Sequence, residues 1–134
     1  MNVTRLRVCA EADQRLIHLK ARTGLTPNLL CRIGFCLSLN DPMVPDPDKY
    51  PADSQRELNR YTLMGEWDAI FVALLRERCA HDGLDLEHDL EDQFRAHVNR
   101  GVLMLYHRMK HLGDLDRLVQ EQMRLLPTAG GGQA

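Results

Sequence analysis

The side chains of this 134-residue chain suggest four kinds of chemistry, and three of them lack an essential part. Metal binding would use His107 and His111, four residues apart, a spacing that puts two imidazoles on one helix face. That pair lacks the glutamate of a His-Glu-x-x-His helix, and His81-Asp82 and His88-Asp89 only bracket a loop, so no metal is expected. General acid–base work could use Asp46 and Asp48, but on a proline-rich stretch they read as solvated acids. Nucleophilic catalysis finds no Gly-x-Ser-x-Gly, no cysteine beside a histidine and no glycine-rich phosphate loop. Cys9, Cys31, Cys36 and Cys79 form no Cys-x-x-Cys pair and read as buried, reduced thiols. The chain is therefore expected to be neither an enzyme nor a cofactor carrier. Its three Phe, three Tyr and one Trp are too few for a single-strand stacking platform.

The fourth possibility is contact with a polyanion. Val3 to Cys9 alternates, with Thr4, Leu6 and Val8 on one side and Val3, Arg5, Arg7 and Cys9 on the other, the period of a half-buried strand. No second strand follows closely, so its simplest partner is the same strand in another copy. Such a ribbon would show Arg5 and Arg7 twice on one face and would fit a DNA major groove. Lys20 and Arg22 close the next helix. Thr26 and Asn28 open the one after, whose first N–H groups and positive dipole end suit a phosphate. The bland alternative is that Arg5 and Arg7 only keep an edge strand soluble.

These groups need elements to hold them. Glu11 to Arg22 reads as a helix with Ala12, Leu16 and Leu19 inward. Gly24 stops it, Thr26 is an N-cap and Pro27 stands at a first helical position. The helix Thr26–Leu39 is apolar almost all round (Leu29, Leu30, Ile33, Phe35, Cys36, Leu37, Leu39), so it must be covered, and the chain is expected to self-associate. Pro42, Pro45, Pro47 and Pro51 predict an extended loop. A helix follows over Glu66–Ala80, ended by Gly83. A longer one spans about Glu87 to Leu112, in which Gly101 marks a close crossing or a break. Asp114 caps a last amphipathic helix carrying Leu115, Leu118, Val119, Met123 and Leu126.

The expected fold is mainly α in one domain over residues 1–126. A strand–helix–helix start over 1–39, like that of ribbon-helix-helix proteins, leads through a proline-rich loop at 40–58 to a helical bundle at 66–126, with a flexible tail at 127–134. No apolar run can span a membrane, and Met1-Asn-Val-Thr-Arg is not a secretory leader, so a cytoplasmic location is expected. The net charge of −2 hides a pattern. Residues 1–39 hold six basic and two acidic side chains, residues 40–92 five and fourteen, and residues 93–134 six and three. Basic ends around an acidic middle suggest an anionic partner at one face.

The run Arg15-Leu-Ile-His-Leu-Lys-Ala-Arg-Thr-Gly-Leu-Thr-Pro-Asn-Leu-Leu-Cys-Arg-Ile-Gly-Phe-Cys-Leu-Ser-Leu39 resembles the DndE family of bacterial DNA phosphorothioation. Asn59-Arg-Tyr-Thr-Leu63, Gly65-Glu-Trp-Asp68, Leu74-Leu-Arg-Glu-Arg-Cys-Ala80 and Phe94-Arg-Ala-His-Val-Asn-Arg-Gly-Val102 extend the likeness over roughly residues 5–112. The resemblance implies a mostly helical accessory protein, a homo-oligomer and specifically a tetramer, with no chemistry of its own. It implies binding to nicked double-stranded DNA through surface basic groups, of which Lys20 and Arg22 fall inside the matching run. It also implies work beside a sulfur-transfer enzyme and an ATPase-like subunit. Lysine is scarce (Lys20, Lys49, Lys110), so arginine must supply most of the positive surface. Two other readings remain: a scaffold for the modification enzymes with weak DNA contact, and a ribbon-helix-helix transcriptional regulator.

Overall fold

The structure, a computed structural model, describes residues 1–125. Leu126 and the tail expected at 127–134 lie outside the described residues. The elements run β1 (Arg5–Arg7), α1 (Ala10–Thr23), α2 (Pro27–Asn40), β2 (Glu57–Asn59), α3 (Arg60–Met64), α4 (Asp68–His81), α5 (Leu90–Arg108) and α6 (Asp114–Leu125). Short 3-10 turns at Pro47–Lys49 and Gly65–Trp67 complete the path. The fold is mainly α, with the expected strand–helix–helix start.

The strand's partner differs from the expectation. β1 pairs antiparallel with β2 of the same chain, Arg5 opposite Asn59, Leu6 opposite Leu58 and Arg7 opposite Glu57. The proline-rich stretch brings the chain back: Ser54 Oγ donates to the Val8 carbonyl, and Asp53 Oδ1 accepts the Ala10 N–H at 2.7 Å. That second bond also satisfies one of the unpaired donors at the start of α1. Leu6 and Leu58 bury one face of the ribbon against the core. The residues expected to be loop up to position 58 thus include a strand and lead straight into α3.

α1 ends where Gly24 turns left-handed at φ 78°, its N–H bonded to the Lys20 carbonyl. Thr26 then caps α2, its side chain accepting from the Leu29 N–H at 3.3 Å. α2 buries Leu30, Cys31, Phe35 and Leu37 against α5. The two helices meet at Gly34 and Gly101, where a Cβ on Gly101 would stand 1.9 Å from the Gly34 carbonyl oxygen. Gly101 therefore marks a crossing, and its lack of a side chain is what lets the backbones touch.

Arginine forks fasten the loops. Arg78 and Arg100 converge on the C-terminal end of α2, binding the Leu39 and Ser38 carbonyls, and both reach the Met43 carbonyl. Arg32 binds the Leu63 and Thr62 carbonyls, Arg60 those of Met1 and Val3, and Arg95 that of Tyr50. Arg100 Nε also donates to Ser38 Oγ at 2.8 Å, which leaves the hydroxyl hydrogen for His97 Nδ1 at 2.8 Å. His97 is fully buried, and burial together with the nearby Arg100 and Arg78 pushes its pKa down to about 3.

Two further expectations are corrected. α5 stops at Arg108 because the Asp114 carboxylate draws off the Lys110 and His111 N–H groups. His107 and His111 therefore do not share a helix, and His111 faces Asp114 instead. Cys36 is exposed rather than buried, because α2 turns that side away from α5; Cys9, Cys31 and Cys79 are buried. Among the described residues no helix is long and apolar enough to cross a membrane.

Candidate nucleic-acid interface

The structure scatters the six residues singled out for DNA contact. Arg5 and Arg7 do lie together on β1, but both grip one carboxylate. Arg5 Nη1 meets Glu57 Oε1 at 2.9 Å and Arg7 Nη2 meets Glu57 Oε2 at 2.8 Å. Hydrogen bonding from Arg5, reinforced by Arg7, holds Glu57 below the ordinary carboxylate range, so it is ionised at neutral pH. Arg7 also binds the Ser54 carbonyl. Half of this pair's positive charge is cancelled inside the chain.

The start of α2 has little capacity left for an anion. Pro27 has no N–H, Leu29 is bound by Thr26 Oγ1 and Leu30 by the Thr26 carbonyl. Of the first turn only the Asn28 N–H stays open, and the Asn28 side chain is half-buried. Lys20 and Arg22, two residues apart on α1, are separated by about 200° around the helix. Lys20 is exposed, whereas Arg22 turns toward α5.

There Arg22 joins residues that the sequence did not single out. Arg22 Nη2 donates to the Tyr106 hydroxyl at 3.1 Å, and its guanidinium carbon lies 4.5 Å from the ring centroid. Arg15 lies 4.3 Å from the same centroid and the Lys110 ammonium 5.6 Å. These are cation–π distances, and three cations share one ring. His18 and His107 flank it, with ring centroids 6.3 and 5.5 Å away. The Arg22 hydrogen bond, aided by the charges of Arg22, Arg15 and Lys110, pulls the Tyr106 hydroxyl below the ordinary phenol range. Among the described residues no carboxylate lies within 4 Å of the Arg15, Arg22 or Lys110 cations.

Local sequence carries half of this site. Arg15, His18 and Arg22 are spaced three and four apart, so they share one face of α1. Nothing local links that face to Tyr106, more than eighty residues on. The packing of α1 on α5 makes the link and joins the two basic ends of the chain.

A second surface is apolar. A groove of about 540 Å³ runs between the outer side of α2, α4 and α6, lined by Ile33, Cys36, Phe71, Leu74, Val119 and Met123 among others. Leu74, Val119 and Met123 are 46%, 50% and 61% exposed. This is the side of α2 that α5 leaves uncovered. No group of three metal-ligating side chains occurs among the described residues.

The comparisons with known proteins agree with this architecture. Residues 5–112 match the family described as DNA sulphur modification protein DndE. The crystal structure of DndE from Escherichia coli B7A, involved in DNA phosphorothioation modification, is similar at 25% identity with a TM-score of 0.65. That match covers 78% of this chain and 98% of the other. A DndE mutant carrying glycine-to-lysine substitutions is similar in fold at 23% identity and a TM-score of 0.63, over 78% of this chain and 99% of that one. No curated protein matches the chain. The family match spans most of the sequence and solved DndE structures share the fold, so this chain belongs to the DndE family of DNA sulphur modification proteins.

Proposed function

We propose that this chain is a non-enzymatic accessory subunit of DNA phosphorothioation that binds nicked double-stranded DNA with the Tyr106 face. The observation that supports this reading is the trio Arg15, Arg22 and Lys110, crowded on one ring with no carboxylate partner among the described residues. Like charges held this close repel unless an anion arrives, and a DNA backbone supplies one. Lys20 extends the same helix as an exposed cation. Arg5 and Arg7 play the smaller part, because Glu57 already meets them. Thr26 and Asn28 contribute at most one backbone N–H.

Binding assays with nicked, intact and single-stranded DNA at two salt concentrations test the reading. Expected are tightest binding to the nicked duplex and affinity that falls steeply with salt. Equal affinity for nicked and intact duplex removes the nick from the proposal. No binding at low salt sinks the DNA role and favours the scaffold reading.

The apolar groove favours a second element, assembly. Its exposed Leu74, Val119 and Met123 suit burial against protein. We infer a homo-oligomer, specifically a tetramer, that works beside the sulfur-transfer and ATPase-like subunits. Sedimentation of a stable monomer at micromolar concentration would defeat this inference.

A further inference from the structure

We propose that the Tyr106 cluster receives a terminal phosphomonoester at the break in a nicked strand, rather than an internal phosphodiester; this rests on the DNA reading above. The argument is one of charge and of donors. Arg15, Arg22 and Lys110 bring three positive charges to within 6 Å of one ring centroid. Arg22 lies in the last turn of α1, Tyr106 in the last turn of α5, and Lys110 two residues past that helix's end. Each helix C-terminus offsets about half a charge, which leaves about two to be matched. An internal phosphodiester carries one negative charge and is met by cations spread along a surface. A terminal phosphomonoester carries about −1.5 to −2 near neutral pH and offers three strong acceptor oxygens at one point.

The donors fit that count. Arg22 uses Nη2 on the Tyr106 hydroxyl, while its Nη1 is buried with no hydrogen-bond partner among the described residues. A buried guanidinium nitrogen without an acceptor is costly, so it points to a group that arrives. The Tyr106 hydroxyl accepts from Arg22 and so keeps its own hydrogen to donate onward. Neither Arg15 nor Lys110 makes a side-chain hydrogen bond within the described residues, so both have donors to offer. A guanidinium fork and an ammonium together meet several oxygens of one phosphate.

The test uses the full chain and three nicked duplexes of one sequence, with a 5′-phosphate, a 3′-phosphate or hydroxyls only at the nick. Fluorescence anisotropy is expected to show one phosphorylated nick bound about tenfold more tightly than the hydroxyl nick. Arg15→Gln and Lys110→Gln, both conservative in size, should each pull that ratio toward one. Tyr106→Phe should lower it less. Arg76→Gln, an exposed cation on α4, should leave it unchanged. Equal affinity of the unmodified chain for all three nicks overturns the inference while the DNA reading stands. If no duplex binds, the DNA reading fails, and short oligonucleotides with and without a terminal phosphate decide the site. Preference for the phosphorylated oligonucleotide keeps it, and no preference ends it. Competition by inorganic phosphate as potent as the phosphorylated nick would assign the cluster to free phosphate and also overturn the inference.

Discussion

Two arginine-bearing faces of this molecule look alike in sequence and differ in charge. On β1, Arg5 and Arg7 alternate onto one side and both end on Glu57. On α1, Arg15 and Arg22 occupy one helical face and end on Tyr106, joined by Lys110. The first pair meets a carboxylate, and the second meets an aromatic ring that attracts cations without cancelling them. A cation's availability to a ligand is set by what the fold puts opposite it, in both cases a residue fifty or more positions away.

The contrast can be broken most severely through the seat of α5. Gly101→Ala puts a methyl against the Gly34 backbone, which has no side chain to move aside. A loss of about 3 kcal/mol or more is expected in urea unfolding, and the Tyr106 cluster should go while β1 and β2 stay paired until the chain unfolds. A milder cut removes the cations alone. Replacing Arg15, Arg22 and Lys110 by Gln should cost about 100-fold in affinity for nicked duplex at low salt. It should also flatten the slope of log affinity against log salt by about three units. Replacing Arg5 and Arg7 instead should cost less than about threefold, and an equal loss from both would erase the distinction between the faces.

Acid separates loss of fold from loss of contacts. His97 touches neither face, and its folded pKa of about 3 lies far below its ordinary 6.5. Between these values the unfolded chain binds a proton that the folded chain refuses. Stability should therefore fall as pH drops below 6.5, by about 1.4 kcal/mol per unit, and level off below about 3 for this group. His97→Gln should flatten that part of the curve in urea titrations at stepped pH. A small effect of the opposite sign is expected from Glu57→Gln, which releases Arg5 and Arg7. Affinity for DNA should rise about threefold, with a steeper salt slope. No change would mean that β1 faces away from the DNA.

The parts legible in sequence were those decided within one turn or one period. The Thr26–Pro27 start of α2, the Gly24 stop and the inward stripe of α1 follow from caps and spacing. Gly101 allows a close crossing or a break, and only the structure decides for the crossing, since Gly34 on the other side cannot be recognised without it. β2 and α3 are not legible because a three-residue strand and a five-residue helix carry too little period to read; β2 forms because β1 is there to pair with. The sequence pattern runs past the end of α5 because Met109 and Leu112 continue its apolar spacing, while the stop is made by Asp114 from beyond. The cation face was half visible in Arg22. Its other half, Tyr106 near the end of α5 and Lys110 just past it, meets α1 only in three dimensions.

The arginine forks bear on how this chain's charge should be counted. Fourteen of its seventeen basic residues are arginine, and Arg32, Arg60, Arg78, Arg95 and Arg100 each bind backbone carbonyls. A flat guanidinium with five N–H donors can hold several carbonyl oxygens at once, and a lysine ammonium on a flexible stem does so less well. A version of the protein with lysine at those five positions would carry the same formal charge and look as basic to any calculation. Its loops would nonetheless come loose, because at these positions the guanidinium serves as mortar between segments before it serves as charge.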